Sequence, residues 1–259
     1  MGKLDNFPSV NMISLRECSV RRAFMEYQFK KYGVKKWNWY LTDRWEDIKH
    51  NLTVSSRYMT DNFGTVISHL NSLNVWYNST NEEYAIFSDD DFSLETIDYW
   101  NFTWDEFIEA LPEDWECMQL IRLDAFPYEK MIAYPHNYQL NTLQNRWWGS
   151  VYMMKREYVK KILDRHVIRY DTYRLELLDN YPEEMNEYNT EVIENIMLMH
   201  KGVLYNIPLF VFSLEDESTY SYRVSKAPDM HEIACRKIFL DLWKEHGPNL
   251  NVKDLTKIY

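Results

Sequence analysis

Apolar positions along the chain switch between two periods, and that switching predicts the architecture. Residues 10–15, VNMISL, form a short apolar run of strand length. Residues 19–32 then carry Val20, Ala23, Phe24 and Tyr27 at the i, i+3, i+4, i+7 spacing of a helix with one buried stripe. A second strand is expected over 37–41. The clearest helix covers 62–77, where Phe63, Val66, Ile67, Leu70, Leu73 and Tyr77 make one apolar stripe and Asp61 is placed to cap it. The strand at 84–87, YAIF, runs directly into Ser88-Asp89-Asp90-Asp91. Strands are predicted again at 117–123 and 149–154, the latter leading into a helix through Val159, Ile162 and Leu163. Residues 191–200 read as a helix, and 202–211 contain one more strand. Pro228 and Gly247 bracket a closing helix at the first helical and C′ positions each residue favours.

Strands alternating with helices predict an α/β fold, a Rossmann-like, mainly parallel sheet flanked by helices. In such a sheet ligands bind beyond the carboxyl ends of the strands, where the strand order reverses. The acidic triplet after the strand at 84–87 falls at that edge.

Composition narrows the functional classes. A net charge of −11 argues against a nucleic-acid binder, which needs clustered Lys and Arg to displace counterions. An acidic protein can still hold a diphosphate if a divalent metal supplies positive charge. Aromatic residues make up 16% of the chain, enough for a heavily aromatic core and for faces that stack on sugar rings. The three cysteines, Cys18, Cys117 and Cys235, have no CxxC spacing and fit reduced thiols. The opening MGKLDNFPSV has no apolar leader, and no stretch reaches the roughly twenty apolar residues of a membrane span, so a cytoplasmic protein is expected. The N-x-S/T sequons at Asn51, Asn78 and Asn101 are then chance occurrences.

Three adjacent carboxylates repel one another unless something positive lies between them. Mg²⁺ and Mn²⁺ suit that place, because they take oxygen ligands and keep open positions for substrate phosphates. If the chain stays extended, Asp89 and Asp91 point the same way as a DxD-like pair; the competing reading is a solvated acidic turn. Two further features lie nearby in sequence. Gly64 and Ser68 share a helix face that permits close backbone approach, and His69 flanks the apolar stripe, either as a packing notch or as a wall of a nucleotide pocket. Ser14, Leu15 and Arg16, with Arg21 and Arg22, sit at the first strand-to-helix turn. There an Arg and free helix N–H groups can meet phosphate or base acceptors, while two of the three Arg are ordinary solvated charges.

In order and spacing these residues resemble the GT-A glycosyltransferases of the lipopolysaccharide and procollagen galactosyltransferase family, viral relatives included. Ile13 and Leu15 followed by Arg21-Arg22 fit its opening I-x-L and R-R, and Gly64, Ser68, His69 and Trp76 match its Gly, S-H and Trp pattern. Asp89-Asp90-Asp91 corresponds to its E-D-D, with Asp in place of the usual Glu. The tract from Tyr152 to Val159 looks like its aromatic-x-x-S/K-R signal, and Pro208-Leu209-Phe210 with Ser218-Thr219-Tyr220 is similar to its closing motifs. The likeness covers about residues 10–222, so 1–222 is expected to be the GT-A domain and 223–259 a helical extension of the same domain.

The resemblance implies an inverting, metal-dependent transfer of a sugar from a UDP- or GDP-sugar to a hydroxyl of a glycan or glycoconjugate. It implies Mn²⁺ or Mg²⁺ held by Asp91 directly, with Asp89 completing the metal pair or contacting the ribose or a metal-bound water. Ser14, Leu15, Arg16, Arg21, Ser68, His69, Asp89, Asp90 and Gly149 would line the nucleotide-sugar site. Glu191 is the candidate base, with Glu194 and Asp124 as rivals, and Trp147, Trp148 and Gly149 would face the acceptor. A carbohydrate-binding protein without catalysis would use the aromatics and ignore nucleotides. A metal-dependent phosphoryl-transfer enzyme would need a second acidic cluster and a basic track.

Overall fold

Short β-branched and aromatic runs make the strands, and the connections between them set which edge carries chemistry. The computed structural model describes residues 2–48, 52–54, 62–122, 141–142, 151–169, 172–175, 193, 196–197, 200, 202–213 and 230–258. The strands are β1 (Val10–Leu15), β2 (Trp37–Thr42), β3 (Leu52–Val54), β4 (Tyr84–Ser88), β5 (Phe92–Ser93), β6 (Cys117–Gln119), β7 (Asn141–Thr142), β8 (Val151–Lys155), β9 (Val167–Arg169), β10 (Thr172–Leu175), β11 (Leu204–Asn206) and β12 (Val211–Phe212). The helices are α1 (Ser19–Tyr32), α2 (Trp45–Ile48), α3 (Asn62–Ser79), α4 (Trp104–Ala110), α5 (Arg156–His166), α6 (Met230–His246) and α7 (Val252–Leu255).

Seven strands form one sheet in the order β2-β1-β4-β8-β6-β11-β7. β1 pairs parallel with β2 and β4, and β6 pairs parallel with β11; β8 runs antiparallel between β4 and β6, and β7 antiparallel to β11. Five strands therefore share one direction, and the expected mainly parallel sheet is present. From β1 the chain moves through α1 to β2 on one side, then crosses by α3 to β4 on the other side. The strand order thus reverses between β1 and β4, which makes that crevice the switch point of the sheet. A three-stranded sheet, β3-β10-β9, and the β12-β5 pair are separate.

Strand alternation divides the core into two layers. Ile86, Met118, Met153 and Tyr205 face a cluster with Met25 and Phe29 of α1, Trp104 and Phe107 of α4, and Phe239 and Trp243 of α6. Ala85, Phe87, Tyr152 and Met154 face the other cluster, with Phe63, Val66, Leu70 and Leu73 of α3 and Val159 and Ile162 of α5. The stripes predicted for α3 and α5 are the buried ones. The C-terminal α6 is part of the core: Trp243 donates from its indole to the Pro208 carbonyl at 2.7 Å and packs against Trp100 and Phe102.

Helix α1 buries a different face from the one predicted. Val20 is 72% and Tyr27 63% exposed, whereas Arg21, Met25, Gln28 and Phe29 are buried. The packed face carries two polar residues with partners waiting in the fold, and no apolar spacing rule ranks an Arg or a Gln as a core position. Val20→Ser is expected to change stability by less than about 0.5 kcal/mol, and Phe29→Ala to cost about 3–5 kcal/mol, as urea denaturation would measure. Gly247 ends α6, but what it supplies there is room: an added Cβ would lie 2.6 Å from the Tyr99 carbonyl oxygen. Among the described residues the one glycine with a left-handed φ is Gly33, which ends α1 at φ 76°.

Two histidines meet behind α5. Nδ1 of His166 donates to the Arg174 carbonyl at 2.9 Å, since a carbonyl can only accept, and its Nε2 lies 3.0 Å from Nε2 of His200. Burial, then the charges of His166, Arg165 and Lys161, lower the His200 pKa to about 4. A folded-state pKa below the unfolded one makes stability full above about 6.5 and drains it as pH falls toward about 4. The melting temperature is expected to drop between pH 7 and pH 5, and His200→Gln to flatten that drop.

The predicted Asp61 cap, the strand ends at 123 and 149–150, most of the helix over 191–200 and the Pro228 start of the closing helix lie outside the described residues. Among the described residues no helix is long and apolar enough to cross a membrane, and Cys18, Cys117 and Cys235 form no disulfide.

Candidate functional site

Strand β4 delivers the acidic triplet to the switch point beside the end of β1. Ala85, Ile86 and Phe87 are buried on both faces of the sheet, which fixes where Ser88 ends the strand. The chain then bends through Asp89, Asp90 and Asp91 and re-enters extended structure at Phe92, so the extended run expected to point Asp89 and Asp91 the same way is broken here: Asp89 turns to His69 of α3 and Asp91 to Arg21 of α1. Burial separates the three: Asp90 is 6% exposed, Asp89 25% and Asp91 38%. The middle residue is an anchor, and the outer two reach solvent.

The positive charge that the triplet requires comes in part from α1. Arg21 NH2 lies 3.0 Å from Asp90 Oδ1 and 2.8 Å from Asp91 Oδ2, with the guanidinium itself buried. Burial disfavours that charge, but Asp91 and Asp90 more than offset it and hold the Arg21 pKa above its ordinary value. Burial pushes the Asp90 carboxyl up from its ordinary value, against the opposing influence of Arg21 and Ser14. Arg21, expected to meet phosphate or base, is therefore committed to two carboxylates instead, because the helix face that carries it turns inward.

Asp89 is held from the opposite layer. Nε2 of His69 lies 3.2 Å from Asp89 Oδ1, and Nδ1 of His69 lies 2.9 Å from the Tyr152 hydroxyl. His69 is completely buried. It is no exposed wall of a pocket; its link to the site runs through Asp89. Ser68 is tied to the Thr42 hydroxyl and to the Gly64 carbonyl, each at 2.7 Å, so it fastens α3 to β2 as a packing notch. Trp76, grouped with these by sequence, lies two turns away in the core and donates to Glu82 at 3.0 Å.

The remaining members of the first turn divide in the same way. Arg16 is exposed and pairs with Asp43 at 2.6 Å, a surface contact. Arg22 shapes the loop after β1, donating to the Ser14 hydroxyl at 2.9 Å, the Leu15 carbonyl at 2.5 Å and the Arg16 carbonyl at 2.8 Å. Ser14 and Leu15 thus stand at the switch point, adjacent to the triplet, while Arg16 turns to another partner.

Several residues with no sequence signal clamp the segment after the triplet. Gln28 donates to the Phe92 carbonyl at 3.0 Å and accepts from the Leu94 N–H at 2.8 Å. The Ser213 N–H donates to the Asp91 carbonyl at 2.7 Å, and β12 pairs with β5. Arg236 of α6 donates to the Phe212 carbonyl at 3.0 Å and pairs with Glu95 at 2.7 Å. A Gln two helical turns from an Arg is the only trace of this in sequence, and it reads equally well as surface.

Three buried polar atoms at this edge, Ser88 Oγ, Asp90 Oδ2 and Arg21 Nε, have no hydrogen-bond partner among the described residues. Buried polar atoms are almost always paired, and a ligand, ion or water that completes the set is one explanation for an exception. Among the described residues no three His, Cys, Asp or Glu side chains are grouped to hold a metal ion. Asp89 and Asp91 are the two partly exposed oxygen donors. Glu191, Glu194, Asp124, Trp147, Trp148 and Gly149 lie outside the described residues. No protein-family model matches the chain, and a search of curated proteins finds no match. The functional reading accordingly stands on these side chains and their arrangement.

Proposed function

We propose that the chain is a metal-dependent GT-A glycosyltransferase that moves a sugar from a UDP- or GDP-sugar to a hydroxyl of a glycan or glycoconjugate. The observation that carries this reading is the acidic triplet at the switch point, with a buried anchor, Asp90, and two partly exposed carboxylates, Asp89 and Asp91. Nucleotide ligands of open α/β sheets bind in that crevice.

Asp89 and Asp91 offer the kind of oxygen donors that Mn²⁺ or Mg²⁺ takes. Both ions take carboxylate oxygens, and Mg²⁺ is typically bound by one or two carboxylates together with waters and substrate phosphates. Asp89 and Asp91 would hold the ion, each carboxylate oriented by a hydrogen-bonding partner, His69 or Arg21. When bound, the metal neutralises the diphosphate and stabilises the departing nucleoside diphosphate. The chain's own part is to present these oxygens beside Ser14 and the N-terminus of α1. Glu191 remains the proposed base for the acceptor hydroxyl, and Trp147, Trp148 and Gly149 the proposed acceptor side.

A panel of nucleotide-sugars assayed for hydrolysis with and without Mn²⁺ tests the proposal. Metal-dependent release of UDP or GDP is the expected result. Calorimetry separates the competing classes: nucleotide binding that tightens with Mn²⁺ supports a transferase, whereas sugar binding indifferent to nucleotide would replace it with a carbohydrate-binding protein.

A further inference from the structure

The Asp89–His69–Tyr152 chain is a hydrogen-bonded path that leads from an exposed part of the triplet through two buried polar side chains into the layer opposite Arg21. Its members differ sharply in exposure: Tyr152 and His69 are 0% exposed and Asp89 is 25%. Only the last carboxylate can touch a ligand.

Each inner member is fixed independently of the site. Tyr152 belongs to β8 and stacks on Phe87 of β4, ring centroids 5.8 Å apart and planes 23° from parallel. His69 belongs to α3, which the Ser68–Thr42 hydrogen bond and the Phe63–Leu73 stripe hold against the sheet. The two rings pack at 5.5 Å. A carboxylate can only accept, so Nε2 carries the proton given to Asp89; with Nδ1 unprotonated, that nitrogen accepts the Tyr152 hydroxyl proton. One tautomer satisfies both contacts. A residue that is buried, locked on both ring nitrogens and aimed at an exposed carboxylate matches the outer partners that orient metal-binding ligands.

We infer that His69, set by Tyr152, is a positioning residue that holds the Asp89 carboxylate in the orientation in which it binds the divalent ion. This rests on the proposed metal-dependent reading and assigns His69 no contact with nucleotide or sugar. Without it, Asp89 is a partly exposed side chain that must be ordered when the ion binds, and loss of such an outer partner costs about 10–100-fold in metal affinity.

The test is Mn²⁺ binding by the full chain, measured by calorimetry without nucleotide-sugar, for wild type, His69→Phe, His69→Gln, Tyr152→Phe and Asp89→Asn. His69→Phe is expected to weaken Mn²⁺ by about 10–100-fold, and His69→Gln, whose amide can still donate to Asp89, to recover most of it. Tyr152→Phe should weaken binding by a smaller factor, and it decides the matter if His69→Phe does not fold. The double variant His69→Phe/Asp89→Asn should bind no more weakly than Asp89→Asn alone, because both remove one interaction. If Asp89→Asn loses Mn²⁺ while His69→Phe and Tyr152→Phe bind it as wild type does, the positioning role is overturned and the metal reading survives. If Asp89→Asn binds Mn²⁺ as wild type does, both fall together.

Discussion

Asp91→Ala is expected to reduce Mn²⁺-dependent hydrolysis of the donor nucleotide-sugar by about 10²–10⁴-fold, since a metal's stabilisation of transition-state charge amounts to several kcal/mol. The variant should fold. The Asp91 side chain is 38% exposed, so its truncation leaves no closed cavity, and its backbone carbonyl keeps the Ser213 hydrogen bond. Arg21 also keeps Asp90 as a partner. Initial rates across a Mn²⁺ titration make the comparison, with the melting temperature as the control. A loss that high Mn²⁺ concentrations overcome would place the defect in metal binding. Full activity in a folded Asp91→Ala protein would remove Asp91 from the metal site.

Arg21→Met is expected to cost about 3–5 kcal/mol of stability, because breaking a buried ion pair leaves an uncompensated charge behind. Asp90, 6% exposed and paired with Arg21 at 3.0 Å, would be the stranded group. Arg21→Lys should cost less, although a single ammonium cannot reproduce the planar donor array. Arg21→Met/Asp90→Asn should recover part of the loss, since no buried charge then remains. Urea denaturation with a shared m-value reports all three. Additive losses in the double variant would mean that the two side chains act separately and that the pair does not anchor the triplet.

Arg21 and its acidic partners also show how much of the site is legible in the sequence. Asp89, Asp90 and Asp91 stand out because an apolar strand runs straight into three carboxylates, and residues that end a buried strand emerge at the edge of the sheet. Arg21 stands out as one basic residue at the first turn, but its destination does not. The apolar spacing of α1 points to Val20 and Tyr27 as the buried face, and the fold exposes both while burying Arg21 and Gln28. A helix buries polar side chains where partners meet them, and those partners, Asp90 and the Phe92–Leu94 backbone, belong to the segment after β4, far along the chain.

The sequence by itself determined the succession of β1, α1, β2, α3 and β4 and of β8 and α5, the apolar faces of α3 and α5, and the acidic triplet at the end of β4, because each follows from local periodicity and chain connectivity. It also brought Ser68 and His69 to notice without separating their roles. Only the tertiary structure decided that Ser68 fastens α3 to β2, that His69 reaches Asp89, and that Arg21 serves the triplet from α1. It also decided which carboxylate is an anchor and which two face solvent. The reason is physical: exposure and pairing depend on groups far apart in the chain, and a repeating pattern records only the neighbours within one helix or strand.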